Sequence, residues 1–152
     1  MENVNELAAA GEKPRPWNKG KLIGAKPPLR PKHVWSIRTR LQLEGRKRDL
    51  ALFNLAIDSK LRGCDQLNLG VNDVCHGDRV ATRAIVIQRK TRRPVRFEIT
   101  PPTQRAVDAW IKKAGLKAGD FLFPSRARSG AHLSTRQYAR IVQGWVASIG
   151  LN

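Results

Sequence analysis

Two short apolar runs with a basic stretch between them constrain this chain most. Ala84-Ile85-Val86-Ile87 is unbroken and β-branched, while Val95, Phe97 and Ile99 alternate with Arg96 and Glu98. Arg89-Lys90-Thr91-Arg92-Arg93 separates them. Runs this short, one of them with a period of two, predict strands rather than helices. Together they predict a β-hairpin with Lys90 at a basic tip. The unbroken run predicts a strand covered on both faces, and the alternating run a half-exposed one. Val71 to Val74 is read as a third, edge strand.

Around the hairpin the period becomes helical. Val34, Ile37 and Leu41 are spaced for one helix face, and Gly45 is placed to stop it. Asp49 to Lys60 carries Leu50, Phe53, Leu55, Ala56 and Ile57 on a broad apolar face, which predicts a core helix. A short helical turn is expected within Arg62 to Leu69. Thr100 as a cap and Pro101-Pro102 in the first turn open the next helix, which Gly115 closes. After the short apolar connection Phe121 to Pro124, Ser134 caps a last helix. Tyr138, Ile141, Val142, Trp145, Val146 and Ile149 form its stripe, and Gly150 stops it. The order predicts a mainly helical α+β domain with a small antiparallel three-stranded sheet.

Residues 1–30 differ in composition. Pro14, Pro16, Pro27 and Pro28 with Gly11, Gly20 and Gly24 exclude a long helix there. The chain is therefore read as a basic flexible arm over 1–30 and a folded body over 31–152. Cations of the arm, Lys19 and Lys21 among them, suit contact with phosphates.

Charge narrows the partners. Lys and Arg number 29 against 12 Asp and Glu, a formal net charge of +17. That imbalance makes a polyanion the first partner to consider. Cys64 and Cys75 are too few for a disulfide framework or a zinc site, and His33, His76 and His132 are scattered. Neither a metal nor a cofactor is expected. The opening Met1-Glu2-Asn3-Val4-Asn5-Glu6 is acidic where a signal peptide is basic, and no run approaches the roughly 18 apolar residues of a membrane span. The expected setting is the cytoplasm, in association with DNA, with no membrane partner.

The segment Leu61-Arg62-Gly63-Cys64-Asp65-Gln66-Leu67-Asn68-Leu69, followed by Val71-Asn72-Asp73-Val74, resembles the first active-site box of the tyrosine recombinases, the phage integrase family. That box has an Arg, an acidic residue three places on, and spaced leucines leading towards a short strand. The family then places an active-site Lys at a hairpin tip, and Lys90-Thr91 stands there. Leu122-Phe123-Pro124-Ser125 and the capped helix after it are similar too. The resemblance covers roughly residues 30 to 152, and a weaker likeness extends to Trp17-Asn18-Lys19-Gly20-Lys21.

The resemblance implies a bacterial or phage-derived, mobile-element protein of DNA recombination and integration, with double-stranded DNA as partner. In the family a tyrosine hydroxyl attacks a DNA phosphodiester, giving a 3′-phosphotyrosine and a free 5′-hydroxyl. Arg forks hydrogen-bond the phosphate oxygens as charge develops. Arg62 would be the first fork, Asp65 would orient and buttress it, and Lys90 would protonate the leaving oxygen. Arg89, Thr91, Arg92, Arg93 and Arg136 are the expected DNA contacts of the body. Arg126, Arg128 and Arg140 join Arg136 as either a phosphate-tracking face or a solvated one.

The family pattern breaks after the last helix. It calls for a His-x-x-Arg box, a further His or Trp, and the nucleophilic Tyr. His76-Gly77-Asp78-Arg79 spells the box but precedes the Lys hairpin, and it is read as a turn. The single tyrosine, Tyr138, lies on an apolar stripe and is read as core. The expectation is a C-terminally truncated catalytic domain that does not cleave DNA alone. A second copy or a full-length recombinase is the expected protein partner. The alternative is a non-catalytic basic DNA- or RNA-binding accessory module.

Overall fold

Helix caps and turns divide the chain much as the periodicity requires. The computed structural model describes residues 29–151. Lys19, Lys21 and nearly all of the expected arm lie outside the described residues. The chain forms two units, Met1–Val34 and Trp35–Asn152. The described part of the first holds only the opening turn of helix α1 (Pro31–Leu43). The second holds the remaining elements.

In α1, Ile37 and Leu41 are buried, and Gly45 follows at φ 66°, a left-handed turn that a side chain would strain. Helix α2 (Lys47–Ser59) buries Ala51, Leu52, Phe53 and Leu55. It ends on Lys60 at φ 55°, whose N–H donates to the Ala56 carbonyl at 3.0 Å. Helix α3 (Gly63–Leu67) is the short turn expected after Arg62. Its Gln66 side chain, fully buried, donates to the Leu52 carbonyl at 2.6 Å and seats α3 on α2.

Val71 to Val74 is not an edge strand. It is the short helix α4 (Val71–Val74), because Asp73 Oδ2 accepts from the Gly70 N–H at 2.7 Å and closes a local turn. Strands β1 (Cys75–His76) and β2 (Arg79–Val80) follow as a small ribbon. His76-Gly77-Asp78-Arg79 is the turn of that ribbon, with Gly77 at φ 63°. Strands β3 (Arg83–Ile87) and β4 (Pro94–Glu98) form the expected antiparallel hairpin. Among the described residues the sheets are therefore two separate two-stranded ribbons, not one three-stranded sheet.

Nor is β3 covered on both faces. Ala84 is buried, but Ile85 and Ile87 are 58% and 55% exposed. With β4 as its one partner among the described residues, β3 packs its Ala84, Phe97 face inward and leaves the other to solvent.

Helix α5 (Pro101–Ala114) lies against α2 and ends at Gly115, φ 67°. Thr100 precedes it, but its hydroxyl does not cap an amide. It donates to Asp58 Oδ2 at 2.9 Å and meets the Thr103 hydroxyl at 3.1 Å. Trp110 Nε1 donates to the Leu122 carbonyl at 2.7 Å and pulls the Phe121–Pro124 connection against α5. Leu122 and Phe123 are fully buried there. Helix α6 (Thr135–Ser148) starts on a reciprocal cap, with Ser134 Oγ accepting from the Gln137 N–H and Gln137 Oε1 accepting from the Ser134 N–H. Only Trp145 of its stripe is buried, and the rest is half-covered. The core thus runs between α2, α5, the inner face of the hairpin and one edge of α6. No helix among the described residues is long and apolar enough to cross a membrane.

Candidate nucleic-acid interface

The Arg box and the Lys hairpin meet through one hydrogen bond. Asp65 Oδ1 accepts the Arg89 backbone N–H at 3.0 Å. Asp65 is buried on α3, three residues after Arg62, and Arg89 immediately precedes Lys90. The side chains of Arg62 and Lys90 are both exposed, and neither has a hydrogen bond or ion pair among the described residues. Two exposed cations thus stand three residues before and one residue after the two ends of this bond. Such guanidinium and ammonium groups can turn towards phosphate without first breaking another bond.

Asp65 was expected to buttress Arg62. Its carboxylate bonds the hairpin backbone through Oδ1, and Oδ2 is buried without a hydrogen-bond partner among the described residues. Position along the helix could not reveal this, because Arg89 is 24 residues away in sequence.

The hairpin tip is ordered from within. Gln88 N–H donates to the Arg93 carbonyl and Arg92 N–H to the Gln88 carbonyl, each at 2.9 Å. The Thr91 hydroxyl donates to Gln88 Oε1 at 2.9 Å and accepts from Arg93 N–H at 3.3 Å. Thr91 is thus a bracing residue of the tip. Arg92 adopts φ 58°, which sets the turn and leaves the basic side chains exposed. Arg89, Lys90, Arg92 and Arg93 are all exposed and without ion-pair partners among the described residues.

Arg136 lies apart, exposed in the first turn of α6. No described contact joins it to the hairpin. Its helix does reach the Arg box. A Cβ on Gly63 would lie 3.2 Å from the Tyr138 ring, so the absent side chain lets α6 close on α3 beside Arg62. Tyr138 also meets Trp145 edge-on, ring centroids 6.5 Å apart. Burial pushes its phenol pKa up, which disfavours the phenolate. The cysteines are free, Cys64 exposed and Cys75 half-buried. Burial raises the Cys75 thiol pKa, with help from the nearby Asp108 charge.

One residue of structural weight had escaped the sequence reading. Asp49, buried at the start of α2, pairs with Arg46 and Arg48 and accepts from Trp145 Nε1 at 3.3 Å. An acid in the first turn of a helix reads as a solvated dipole partner. Only the arrival of Trp145, 96 residues later, makes it a buried anchor for α6.

Comparison with solved structures finds a similar fold in the crystal structure of XerA recombinase. The TM-score is 0.64 at 14% identity, over 82% of this chain and 43% of that one. This chain spans less than half the length of that recombinase. No protein-family model matches the sequence, and no curated protein matches it either. The likeness rests on shape, and it extends to the mainly helical α+β fold with small antiparallel ribbons.

Proposed function

We propose that this chain is a duplex-DNA-binding protein of the site-specific recombination and integration class. The observation that supports the reading is the Asp65–Arg89 bond, which ties the helix after Arg62 to the hairpin residue before Lys90. In this reading Arg62 grips a phosphate oxygen with its fork, and Lys90 stands over the 5′-oxygen of the same phosphodiester. Arg89, Arg92, Arg93 and Arg136 hold neighbouring phosphates, as do Lys19 and Lys21. Contacts of this kind position the protein on the backbone and give strong salt dependence.

In the same reading the 152-residue chain forms no covalent DNA adduct by itself. Tyr138, its single tyrosine, is half-buried on Gly63 with its phenol held protonated. Attack on phosphorus needs an exposed oxygen nucleophile, and neither Arg62 nor Lys90 supplies one. An RNA-stacking module fits less well, because the one aromatic residue of the β3–β4 ribbon, Phe97, faces the core.

The test is binding of labelled duplex DNA across a salt series. If about six phosphates are neutralised, affinity should fall roughly a thousandfold between about 50 and about 200 mM salt. Affinity that does not change with salt would refute the reading. A DNase-resistant adduct mapped to Tyr138 on a denaturing gel would refute the inactive assignment. Appending a segment with a His-x-x-Arg box and a tyrosine should restore cleavage. In that protein Arg62→Ala should cost about a hundredfold in rate or more. Lys90→Ala should be rescued by a substrate whose 5′ leaving group needs no proton.

A further inference from the structure

Helix α1 buries one face and leaves another without cover. Ile37 and Leu41 are in the core, whereas Trp35 is 67% exposed and Leu43 83%, the two most exposed large apolar side chains among the described residues. They stand eight residues apart on one ridge with Thr39 between them, about 12 Å along the helix. The same face borders an open groove of about 530 Å³, lined by Trp35, Thr39, Arg40, Leu43, Glu44 and Ile149. One patch thus carries both a projecting indole and a hollow that can receive one. Its charges are balanced, in a chain whose net charge is +17. Arg40 and Glu44, four residues apart, are half-exposed and form a loose pair at 3.6 Å.

We propose that a second copy of this chain covers this face, in a two-fold pairing that runs α1 antiparallel to the partner's α1 and seats each Trp35 in the other copy's groove. A two-fold interface must be complementary to itself, with knob and hollow on one surface. The charges meet the same demand on the face itself. Antiparallel pairing reverses the order of Arg40 and Glu44, so an axis near Gln42 sets Arg40 against the partner's Glu44 and Glu44 against the partner's Arg40. The loose pair within α1 is given up at little cost, because exposed ion pairs contribute little. Duplex DNA does not fit this face, since Glu44 would meet phosphate and Arg40 is already balanced. The patch also sets the strength of the contact. Thirteen residues of helix are about 20 Å long, and one helix with one groove covers about 400 Å², half of the roughly 800 Å² that a stable interface buries on each partner. The dimer is therefore weak. The rest of the positive charge repels the two copies until salt screens it, so association strengthens with salt. DNA binding has the opposite salt dependence, and the proposal stands apart from it.

The experiment is sedimentation of the full chain, without DNA, over a sodium chloride series. The association constant should rise about tenfold or more between about 50 and about 500 mM salt. Trp35→Ser should weaken the dimer about thirtyfold, as loss of a central aromatic anchor does. Arg40→Glu should weaken it although the change lowers the net positive charge and so the overall repulsion. Glu44→Arg should weaken it as well. An equimolar mixture of the Arg40→Glu and Glu44→Arg chains should restore the parent's association, because each then offers the charge that the other needs. Recovery on mixing also shows that both variants are folded. A monomer at every salt concentration overturns the proposal. So does a dimer that weakens with salt, or one indifferent to all three substitutions, since the copies would then meet elsewhere. Mixed variants that fail to pair, while circular dichroism shows both folded, overturn the antiparallel register. Binding of the parent chain to anionic vesicles that Trp35→Ser abolishes, with no dimer in solution, would give the face to a lipid surface instead.

Discussion

Asp65 holds the backbone of Arg89 across 24 residues of sequence, with Oδ1 accepting the N–H at 3.0 Å. The helix that follows Arg62 and the hairpin that carries Lys90 are therefore tied by a direct bond. A carboxylate acceptor makes this bond stronger than a neutral one, and its burial shields it from water.

Asp65→Ala should loosen that link. We expect the Arg89 amide to exchange with solvent about five- to thirtyfold faster, for a loss of about 1–2 kcal/mol locally. Asp65→Asn keeps an acceptor oxygen and should fall between the two. Hydrogen exchange followed residue by residue checks this, and unchanged protection at Arg89 in the Ala variant would show that the hairpin stands without Asp65.

Asp49→Ala should destabilise the whole chain. The change leaves Arg46, Arg48 and Trp145 Nε1 without their shared acceptor. Both arginines reach solvent in part, so the cost is set mainly by the buried end, at about 2–3 kcal/mol. A urea titration should show the lower midpoint, and tryptophan fluorescence should report the release of α6. A midpoint within error of the parent would mean that packing alone holds Trp145.

Tyr138 should make the fold sensitive to alkali. Its phenol pKa is raised by burial in the folded chain. Below the unfolded value of about 10 the proton stays on in both states, and the favourable contribution is complete. As pH rises through the higher folded value, that contribution is lost. Stability should therefore drop more between about pH 9 and about pH 11 in the parent than in Tyr138→Phe, which keeps the ring on Gly63. Parallel slopes for the two proteins would contradict this.

Lys60→Gly should stabilise the chain slightly. Lys60 ends α2 at φ 55°, a left-handed conformation that costs a side chain about 1 kcal/mol. Glycine removes that strain and keeps the N–H bond to the Ala56 carbonyl. Its greater freedom in the unfolded chain offsets part of the gain, so a rise of about 0.5 kcal/mol is expected by thermal melting. A lower melting temperature would place the strain elsewhere.

Much of the architecture was local and could be read from residue order. The apolar spacing in α1, α2, α5 and α6, the Ser134–Gln137 cap and the stops at Gly45, Gly115 and Gly150 all depend on neighbours a few residues away. So does the hairpin with Lys90 at its tip, because alternation and a polar break are properties of one segment. What failed was anything that depended on a distant partner. Val71 to Val74 is the exception, a helix for a local reason, because Asp73 closes on Gly70 three residues away. Ile85 and Ile87 are exposed because covering a face requires another layer, and nothing within the strand says whether one arrives. The roles of Asp65 and Asp49 were set the same way, by Arg89 and Trp145 arriving from 24 and 96 residues away. Periodicity determines which side of an element is apolar. Only the tertiary packing decides what that side meets, because burial and buried hydrogen bonds belong to pairs of elements and not to either one.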